Sequence, residues 1–477
     1  MNDRRILVRN TFLYTAIQVL TKSVNLLLIP IFVAYLSLES YGIVNLILVV
    51  ITFFTLLMIS GMTESLMRFY VSARLKRLKG IILTTVLSIC LIFGFILVLI
   101  PLMMKDKFAI WIFGSEEYTP IILPIILLGL LESINQIIFT VIRAEKRVLR
   151  YNISVLTKTL SYLIFIIITL VYLGLSVWGF LISLLLSTLL ILIINVSFFI
   201  KRLTFEFNQK VLRIILSFGL PYFVTVMSLQ LLFKIDHIIL KFMISVEAVA
   251  IYGMSYMLGS SIQYLNIAFS YAWYPHLFKL SDKDQMRQEV STIFSTYVLL
   301  LVPVGLALTA GNYHILPYIL PQAYHQVIAI IPWIIWGYFL FGLLDFFAAG
   351  LLIKYRTKIL SFITLIAALL NILLNFILIY IFGVVGAAIA TFASFAIIIV
   401  LAYYYGHRLF KPEYRWCKLS KSVSIYLLIF ILGCCISFKD HYMNIVIGTT
   451  HIIILLISPF LFNFIKYKKV KTIFLVK

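Results

Sequence analysis

The chain has 477 residues, of which 63% are hydrophobic and 12% charged, with a mean hydropathy of +1.11. A soluble domain carries roughly 25% charged residues, so the low charged fraction excludes a soluble protein. A disordered chain is poor in aromatic residues, and the 39 Phe, 28 Tyr and 6 Trp exclude that class. The net charge of +22 would suit a nucleic-acid-binding protein, but cytoplasmic loops of membrane proteins also collect Lys and Arg.

A membrane-spanning helix needs about 20 mostly apolar residues. By this rule the chain contains fourteen candidate spans, with no segment between them long enough to form a domain. The fold class predicted is therefore an all-α polytopic membrane protein with fourteen transmembrane helices. The predicted spans are 10–35, 41–66, 80–103, 119–142, 151–173, 176–200, 212–233, 248–273, 290–310, 326–350, 358–380, 384–406, 421–438 and 444–465.

The distribution of basic residues supports this count. If the N-terminus is cytoplasmic and the sides alternate, most of the 39 lysines and arginines fall in cytoplasmic segments, as the positive-inside rule requires. A missed helix would invert every later loop, so we predict fourteen spans with both termini in the cytoplasm and no nucleic-acid partner. The exceptions are Lys105, Lys107, Lys234, Lys241 and Lys439 in outside loops, and Lys22 and Lys158 within spans.

Motifs for catalysis and for metal binding are missing from the sequence. The four cysteines show no C-x-x-C spacing, the seven histidines show no H-E-x-x-H, and there is no P-loop. No loop exceeds roughly 20 residues, a length on which a catalytic site is hard to assemble. We therefore expect no cofactor, no metal, no catalytic residues and no enzymatic activity.

An internal repeat indicates the domain organisation. The segment from Tyr172 to Gly179 resembles that from Tyr380 to Gly386, and Tyr41-Gly42 resembles Tyr252-Gly253, with the members of each pair roughly 210 residues apart. We predict two parallel six-helix bundles around a central cleft, 1–205 (spans 1–6) and 206–410 (spans 7–12), an arrangement seen in transporters. Residues 411–477 then form an extra helix pair (spans 13–14) and a basic cytoplasmic tail.

Several spans carry polar residues at helical spacing. A charge at bilayer depth costs at least about 2.5–3.5 kcal/mol, and Lys22 lies near the middle of span 1, on one face with Thr11, Thr15, Gln18 and Asn25. Such polar stripes also hold helices together without binding a ligand. The candidate substrate-binding residues are Gln18, Lys22, Asn25, Lys158, Gln263 and Asn266.

Three acidic residues are candidate ion-coupling or gating groups: Glu132 in span 4, Asp236 after span 7 and Asp345 in span 10. Glu132 and Asp345 either neutralise the intramembrane lysines or carry protons, and the sequence leaves both alternatives open. Glu64 and Arg68 have the i, i+4 spacing of a local ion pair. A cationic cleft would suit an anionic substrate such as a phosphate or diphosphate.

Several motifs distributed along the chain share one pattern of resemblance. The motifs are Arg9-Asn10-Thr11 to Leu28-Ile29-Pro30, Tyr41-Gly42, Ser60-Gly61 to Arg68-Phe69-Tyr70, Asp236-His237-Ile238-Ile239-Leu240 with Ala250-Ile251-Tyr252-Gly253, and Gly383-x-x-Gly386-Ala387-Ala388. They resemble those of bacterial polysaccharide flippases, within the multidrug/oligosaccharidyl-lipid/polysaccharide exporter superfamily. The resemblance covers essentially the whole chain, and His237 stands where the family commonly has an Arg.

This resemblance implies a flippase of the bacterial cytoplasmic membrane that moves an undecaprenyl-diphosphate-linked oligosaccharide outward by alternating access, for surface polysaccharide biosynthesis. Its partners would be that lipid-linked substrate, membrane lipids and other membrane proteins of polysaccharide assembly. A cation-coupled multidrug exporter of the same superfamily is the main alternative. A membrane polysaccharide polymerase or ligase is a further one.

Overall fold

In the computed structural model, the described residues are 17, 20, 21, 24, 27–277, 283–354, 356–435 and 441–461, without the side chains of 271, 272, 275, 276, 283, 357, 418 and 441. Within these ranges the chain forms helices and short connections, with no β-strand. The first ten helices are α1 (Ile29–Tyr35), α2 (Leu38–Ile59), α3 (Met62–Ser72), α4 (Lys76–Met103), α5 (Lys105–Phe113), α6 (Ile122–Ala144), α7 (Val148–Ile166), α8 (Ser176–Ile200), α9 (Gln209–Met243) and α10 (Val246–Gly259).

After α10, the described part of the chain contains nine further helices. A 3-10 turn over Glu116–Ile121 precedes α6, and a π turn over Ile167–Tyr172 extends α7. The later helices are α11 (Ser261–Leu277), α12 (Lys283–His314), α13 (Leu316–Ile319), α14 (Val327–Phe347), α15 (Ala349–Ile353), α16 (Thr357–Phe382), α17 (Val384–Leu409), α18 (Trp416–Cys434) and α19 (His441–Leu461).

Polar residues mark several helix starts. The hydroxyl of Ser37 accepts a hydrogen bond from the main-chain nitrogen of Ser40 at 3.1 Å, and Ser37 thereby caps α2. Asn208 caps α9 by accepting from the nitrogens of Lys210 and Val211 at 2.9 and 3.2 Å. These caps satisfy main-chain donors that the first turn of a helix leaves free, so both helices begin at a defined residue.

The helices confirm an all-helical membrane fold. Eleven described helices are long and apolar enough to cross a membrane, and a shorter apolar helix runs over Leu419–Cys434. Predicted span 8 is divided at Ser260 into α10 and α11, of 14 and 17 residues. Most of predicted span 1 (10–35) lies outside the described residues. The helix α1 corresponds to its last part. The count of fourteen therefore stays a prediction.

Predicted span 2 (41–66) is corrected at its C-terminal end, because α2 stops at Ile59. Ser60 and Gly61 have φ of +47° and +74°, and a Cβ on Gly61 would lie 2.3 Å from the carbonyl oxygen of Gly219 in α9. This close approach and left-handed backbone turn the chain into α3, which carries Glu64 and Arg68.

The predicted ion pair between Glu64 and Arg68 is not formed. The Arg68 guanidinium carbon lies 4.5 Å from the centre of the Phe218 ring instead, so this cation binds an aromatic face on α9.

The chain folds as two compact units that divide at Gly253/Met254, within α10. In the first unit, α6 packs on α2, α3 and α8, α7 packs on α8, and α9 packs on α2, α3 and α4. In the second, α17 packs on α14 and α16, and α12 packs on α14 and on the α18–α19 pair. Residues 206–253 thus pack with the first unit. The predicted domain boundary at 205/206, which rests on the sequence repeat rather than on packing, stays a prediction.

Candidate functional site

The predicted site residues of span 1 lie outside the part of the chain that the structure describes. These are Gln18, Lys22 and Asn25. Their shared helical face stays a prediction from the sequence.

Glu132 and Lys158 form an ion pair within the first unit, between the middle of α6 and α7. Their side chains are 20% and 23% exposed, and the hydroxyl of Thr188 on α8 donates to Glu132 Oε1 at 3.0 Å. Of the two alternatives that the sequence left open for Glu132, this contact supports neutralisation of a lysine. Two charges at bilayer depth are far less costly together than apart.

Further polar contacts run from this ion pair toward the C-terminal end of α8. The Asn135 amide donates to the Thr188 carbonyl at 3.1 Å. The amide nitrogen of Asn195 donates to Ser154 at 3.1 Å, and its oxygen accepts from Arg150 Nε at 3.0 Å. Together with Glu132 and Lys158, these residues form a polar track along the α6–α7–α8 contact, from mid-helix to the loop between α6 and α7.

The track ends in a cluster of arginines around Phe198. The guanidinium carbons of Arg202, Arg150 and Arg147 lie 3.5, 4.2 and 5.2 Å from the centre of that ring. One carboxylate, Glu145, pairs with Arg202 through two bonds of 2.6 Å and with Arg147 at 2.9 Å. The arginine cluster (Arg147, Arg150, Arg202) thus has more positive charge than its single carboxylate neutralises.

Glu145 lies in the loop between α6 and α7, outside the membrane-spanning helices. Burial raises the pKa of this carboxyl, but hydrogen bonds from Arg202 and Tyr70 outweigh it, and the net pKa is lowered. The Tyr70 hydroxyl donates at 3.0 Å. A carboxyl whose pKa is lower in the folded than in the unfolded state stabilises the folded state at pH values above its unfolded-state pKa. This stabilisation is lost as the pH falls through the folded-state pKa.

We therefore expect Glu145→Gln to lower the free energy of unfolding by about 1–2 kcal/mol at neutral pH and to flatten its decline at acid pH. Thermal unfolding of the purified protein in detergent across the acid range measures both effects. Glu206→Gln is the matched control, because Glu206 also pairs with an arginine, Arg77, but both side chains are far more exposed (45% and 76%). Equal losses in the two variants would contradict a specific role for Glu145.

Asp236 lies in α9 of the first unit and is fully buried. The hydroxyl of Tyr252 donates to its Oδ2 at 2.6 Å. The neighbouring His237 ring contacts the Tyr252 ring edge-to-face, with centroids 5.1 Å apart. The carboxylate therefore joins α9 to α10.

In the second unit, Asp345 on α14 is held by hydroxyl groups of α11. Ser270 and Tyr274 both donate to its carboxylate, the latter at 2.6 Å, and the Trp273 indole donates to its main-chain oxygen at 3.1 Å. No described residue forms an ion pair with it. Of the two alternatives for Asp345, neutralisation of a lysine finds no support among the described residues.

Asn266 and Gln263, both candidates from span 8, differ in their surroundings. Asn266 is 5% exposed, and its amide bonds the carbonyl of Tyr338 and the hydroxyl of Tyr297, each at 2.7 Å. It therefore joins α11 to α12 and α14, as polar stripes do when they hold helices together. Gln263 is half-buried, and its side chain bonds no described residue.

Sequence reasoning did not identify Glu145, Arg202, Tyr70, Thr188 or Asn195 as partners in one track. These residues come from four separate segments of the chain, and the local sequence around each of them does not indicate that it contacts the others. An Asn within the apolar run of span 6 was the one available signal, since an amide in a spanning helix requires a polar partner.

The profile of one protein family, described as polysaccharide biosynthesis protein, matches residues 7–281, more than half of the chain. Among solved structures, a lipid II flippase MurJ in an inward closed conformation is 15% identical with a TM-score of 0.70, covering 95% of this chain and 99% of its own. An inward-facing multidrug resistance MATE family transporter of the MOP superfamily is 16% identical with a TM-score of 0.61, covering 84% and 96%.

A third similar structure is that of the MATE multidrug transporter DinF-BH, at 15% identity and a TM-score of 0.58, covering 85% of this chain and 95% of its own. Among proteins of curated function, none has a sequence that matches the chain significantly. At these identities the structures show a shared fold, and the family profile confirms the resemblance drawn from the sequence. The chain belongs to the polysaccharide biosynthesis protein family, with the helical membrane fold that MurJ and the MATE transporters share.

Proposed function

We propose that the protein is a flippase for an undecaprenyl-diphosphate-linked oligosaccharide, which it moves from the cytoplasmic to the outer leaflet of a bacterial cytoplasmic membrane by alternating access. The observation that carries this proposal is the family match over residues 7–281. The fold alone does not choose between lipid-linked sugars and drugs, because it is similar both to a lipid II flippase and to multidrug transporters.

The proposal includes fourteen spans, cytoplasmic termini and two six-helix repeats followed by a helix pair. Two glycines from the repeated sequence support the repeat. A Cβ on Gly179 would lie 3.0 Å from the carbonyl oxygen of Thr169, and one on Gly386 would lie 2.0 Å from that of Leu378. Both glycines therefore sit where the two helices of a hairpin, α7–α8 and α16–α17, approach each other closely.

A diphosphate substrate requires cations, and the first unit supplies a surplus of them. Along the polar track, two carboxylates (Glu132 and Glu145) face four cationic side chains, those of Lys158, Arg150, Arg147 and Arg202. A guanidinium presents parallel N–H donors that match a phosphate. In the proposal, the arginine cluster attracts the diphosphate, and Lys22 and Lys158 bind it within the membrane.

Asp345 is the proposed coupling group. Its carboxylate has two hydroxyl donors and no cationic partner among the described residues. A buried carboxylate without a counter-ion is costly, so a proton or a bound cation would neutralise it. Binding and release of that ion would alternate with transport of the substrate. Asp236, which is also buried, is the second candidate.

The lipid portion of the substrate has a candidate position in the second unit. An apolar groove of about 700 Å³ lies between α12, α14 and α18 and is lined mainly by aromatic and aliphatic side chains. This volume falls in the range of about 300–1,000 Å³ typical of ligand pockets. In the proposal, part of the undecaprenyl chain lies in this groove, whose lining includes Phe294, Trp336, Phe339, Leu343, Val423 and Leu427.

Filling the groove is therefore expected to impair transport. Val423→Trp places a large ring among the lining residues, and we expect the rate of lipid translocation to fall by roughly tenfold, the effect of about 1.4 kcal/mol. Leu428→Trp is the matched control, because Leu428 lies on the same helix but is 57% exposed and outside the lining. Equal rates in both variants, measured at equal membrane insertion, would argue against a lipid in the groove.

The function itself is tested with purified protein in proteoliposomes that contain undecaprenyl-diphosphate-oligosaccharide in a known leaflet. A membrane-impermeant reagent that modifies the sugar reports how much substrate has crossed. We expect protein-dependent crossing that is faster for the diphosphate than for the corresponding monophosphate. No crossing, together with efflux of a lipophilic cation, would favour the multidrug exporter. Elongation of the glycan would favour the polymerase or ligase.

A further inference from the structure

Three metal-ligating side chains meet in the second unit, at the end of the bundle where α12 and α18 finish. They are His314 in the last turn of α12, Cys434 at the end of α18 and His451 in the middle of α19. One ligand atom from each lies within 4.8 Å of the others. Since these helices include the C-terminal pair, the trio joins that pair to α12.

Three of the four ring nitrogens of the two histidines lack the partners that buried imidazoles ordinarily have. His314 and His451 are 7% and 4% exposed. His314 Nε2 and both ring nitrogens of His451 are buried, and none makes a hydrogen bond of good geometry with a described residue. The main chain of Ile429 lies near the His451 ring but does not meet that geometry. Buried polar atoms are nearly always bonded, and leaving one unpaired is costly. A ligand that accepts electron pairs from these nitrogens would remove that cost.

Two glycines provide the space that these rings occupy. A Cβ on Gly433, the residue before Cys434, would lie 2.2 Å from Cε1 of His451. A Cβ on Gly448, one turn before His451, would lie 2.4 Å from the Cβ of His314. Any larger residue at either position would displace one of the histidines. The sequence therefore brings α12, α18 and α19 together at the point where their ligand atoms converge.

We propose that His314, Cys434 and His451 bind a transition-metal ion, with Zn²⁺ as the ion that the ligand set fits best. Imidazole nitrogen and thiolate sulfur are the ligands that Zn²⁺ prefers, at about 2.0–2.1 and 2.3 Å. Tetrahedral geometry at those lengths places the ligand atoms about 3.3–3.6 Å apart. Side-chain movements of about 1 Å would bring the observed trio to that spacing.

Binding of the metal ion would release one proton and would involve no electron transfer. The thiol of Cys434 releases one proton to solvent, its thiolate and the two neutral imidazoles donate electron pairs to the metal, and a water completes the fourth position. No oxidant or reductant is required. The bound ion would fasten the C-terminal helix pair to α12. This inference is independent of the proposed transport function, because it concerns only the attachment of that pair.

Metal binding by the full-length protein in detergent tests the proposal. We expect one Zn²⁺ per chain to remain after dialysis, and replacement by Co²⁺ to give the charge-transfer absorption of a cobalt–thiolate bond. Added Zn²⁺ should also protect Cys434 from alkylation, as read by mass spectrometry, while the exposed Cys435 is modified equally with and without the ion. These measurements require no variant.

Substitutions then identify the ligands. We expect Cys434→Ser to abolish the cobalt–thiolate band and His451→Ala to weaken Zn²⁺ binding by roughly 100-fold or more. The matched control is Cys435→Ser, which should keep both properties. The proposal is overturned if wild-type protein shows no cobalt–thiolate band and no protection of Cys434. It is also overturned if Cys434→Ser retains the band and the Zn²⁺ affinity of the wild type.

Discussion

Replacing Glu132 by alanine is expected to lower the free energy of unfolding by about 3 kcal/mol, the lower end of the range for breaking a buried ion pair. The variant leaves Lys158 with a positive charge in the same half-buried position and without its carboxylate. It also removes the acceptor of the Thr188 hydroxyl. Thermal unfolding in detergent measures the loss, with Glu116→Gln as a control at an exposed carboxylate.

The double variant Glu132→Leu/Lys158→Met separates structure from transport. Removing both charges and replacing them by apolar side chains is often neutral or stabilising, so we expect its stability to return to that of the wild type. We expect its transport to stay low, because the proposed site loses a cation that binds the diphosphate. Recovery of transport together with stability would show that the pair is structural and would remove both residues from the site.

The helical architecture was largely predictable from hydropathy. Among the described residues, each predicted span from the second to the last is helical over most of its length, because long apolar runs form helices in a bilayer, where main-chain groups must bond within the segment. The breaks at Ser60-Gly61 and at Ser260 were not predicted. Hydropathy does not detect the first of them, because it depends on left-handed backbone and on a close approach of α9 to Gly61.

The contacts between polar residues were less predictable than the residues themselves. Glu132 and Lys158 were identified as intramembrane charges, but they are 26 residues apart and on different helices, so only the fold could show that they pair. The same holds for His314, Cys434 and His451, which come from three helices. A search for short metal-binding spacings misses such a trio, because those spacings describe ligands carried on one local segment.

Glu132 and Glu145 of the first unit and Asp345 of the second have different kinds of partners, although Asp236 of the first unit, like Asp345, accepts a hydrogen bond from a hydroxyl. In the first unit, Glu132 and Glu145 pair with cations, and basic side chains outnumber them along the polar track. In the second, Asp345 is held by hydroxyls. In the proposed function, this difference separates the two tasks of a coupled flippase: the first unit binds an anionic headgroup, and the second binds the ion that drives the cycle.

Lys22 is the residue whose loss should affect transport most. The sequence predicts it near the middle of span 1, on one face with Gln18 and Asn25, where its ammonium reaches neither interface easily. A hydrogen bond to a charged group contributes about 1.5–3 kcal/mol, which corresponds to a roughly ten- to hundredfold change in binding. We therefore expect Lys22→Ala to abolish surface polysaccharide while the protein still inserts into the membrane.

Lys22→Arg keeps the positive charge and should retain part of the activity, although a guanidinium differs from an ammonium in shape and hydration. Lys107→Ala serves as the control, because Lys107 is an exposed cation on α5, between two spanning helices. Surface polysaccharide and the leaflet distribution of the lipid-linked precursor are measured in cells that express each variant at equal level. A wild-type amount of polysaccharide with Lys22→Ala would mean that the diphosphate is bound elsewhere, and the arginine cluster and Lys158 of the polar track would then be the remaining candidate cations.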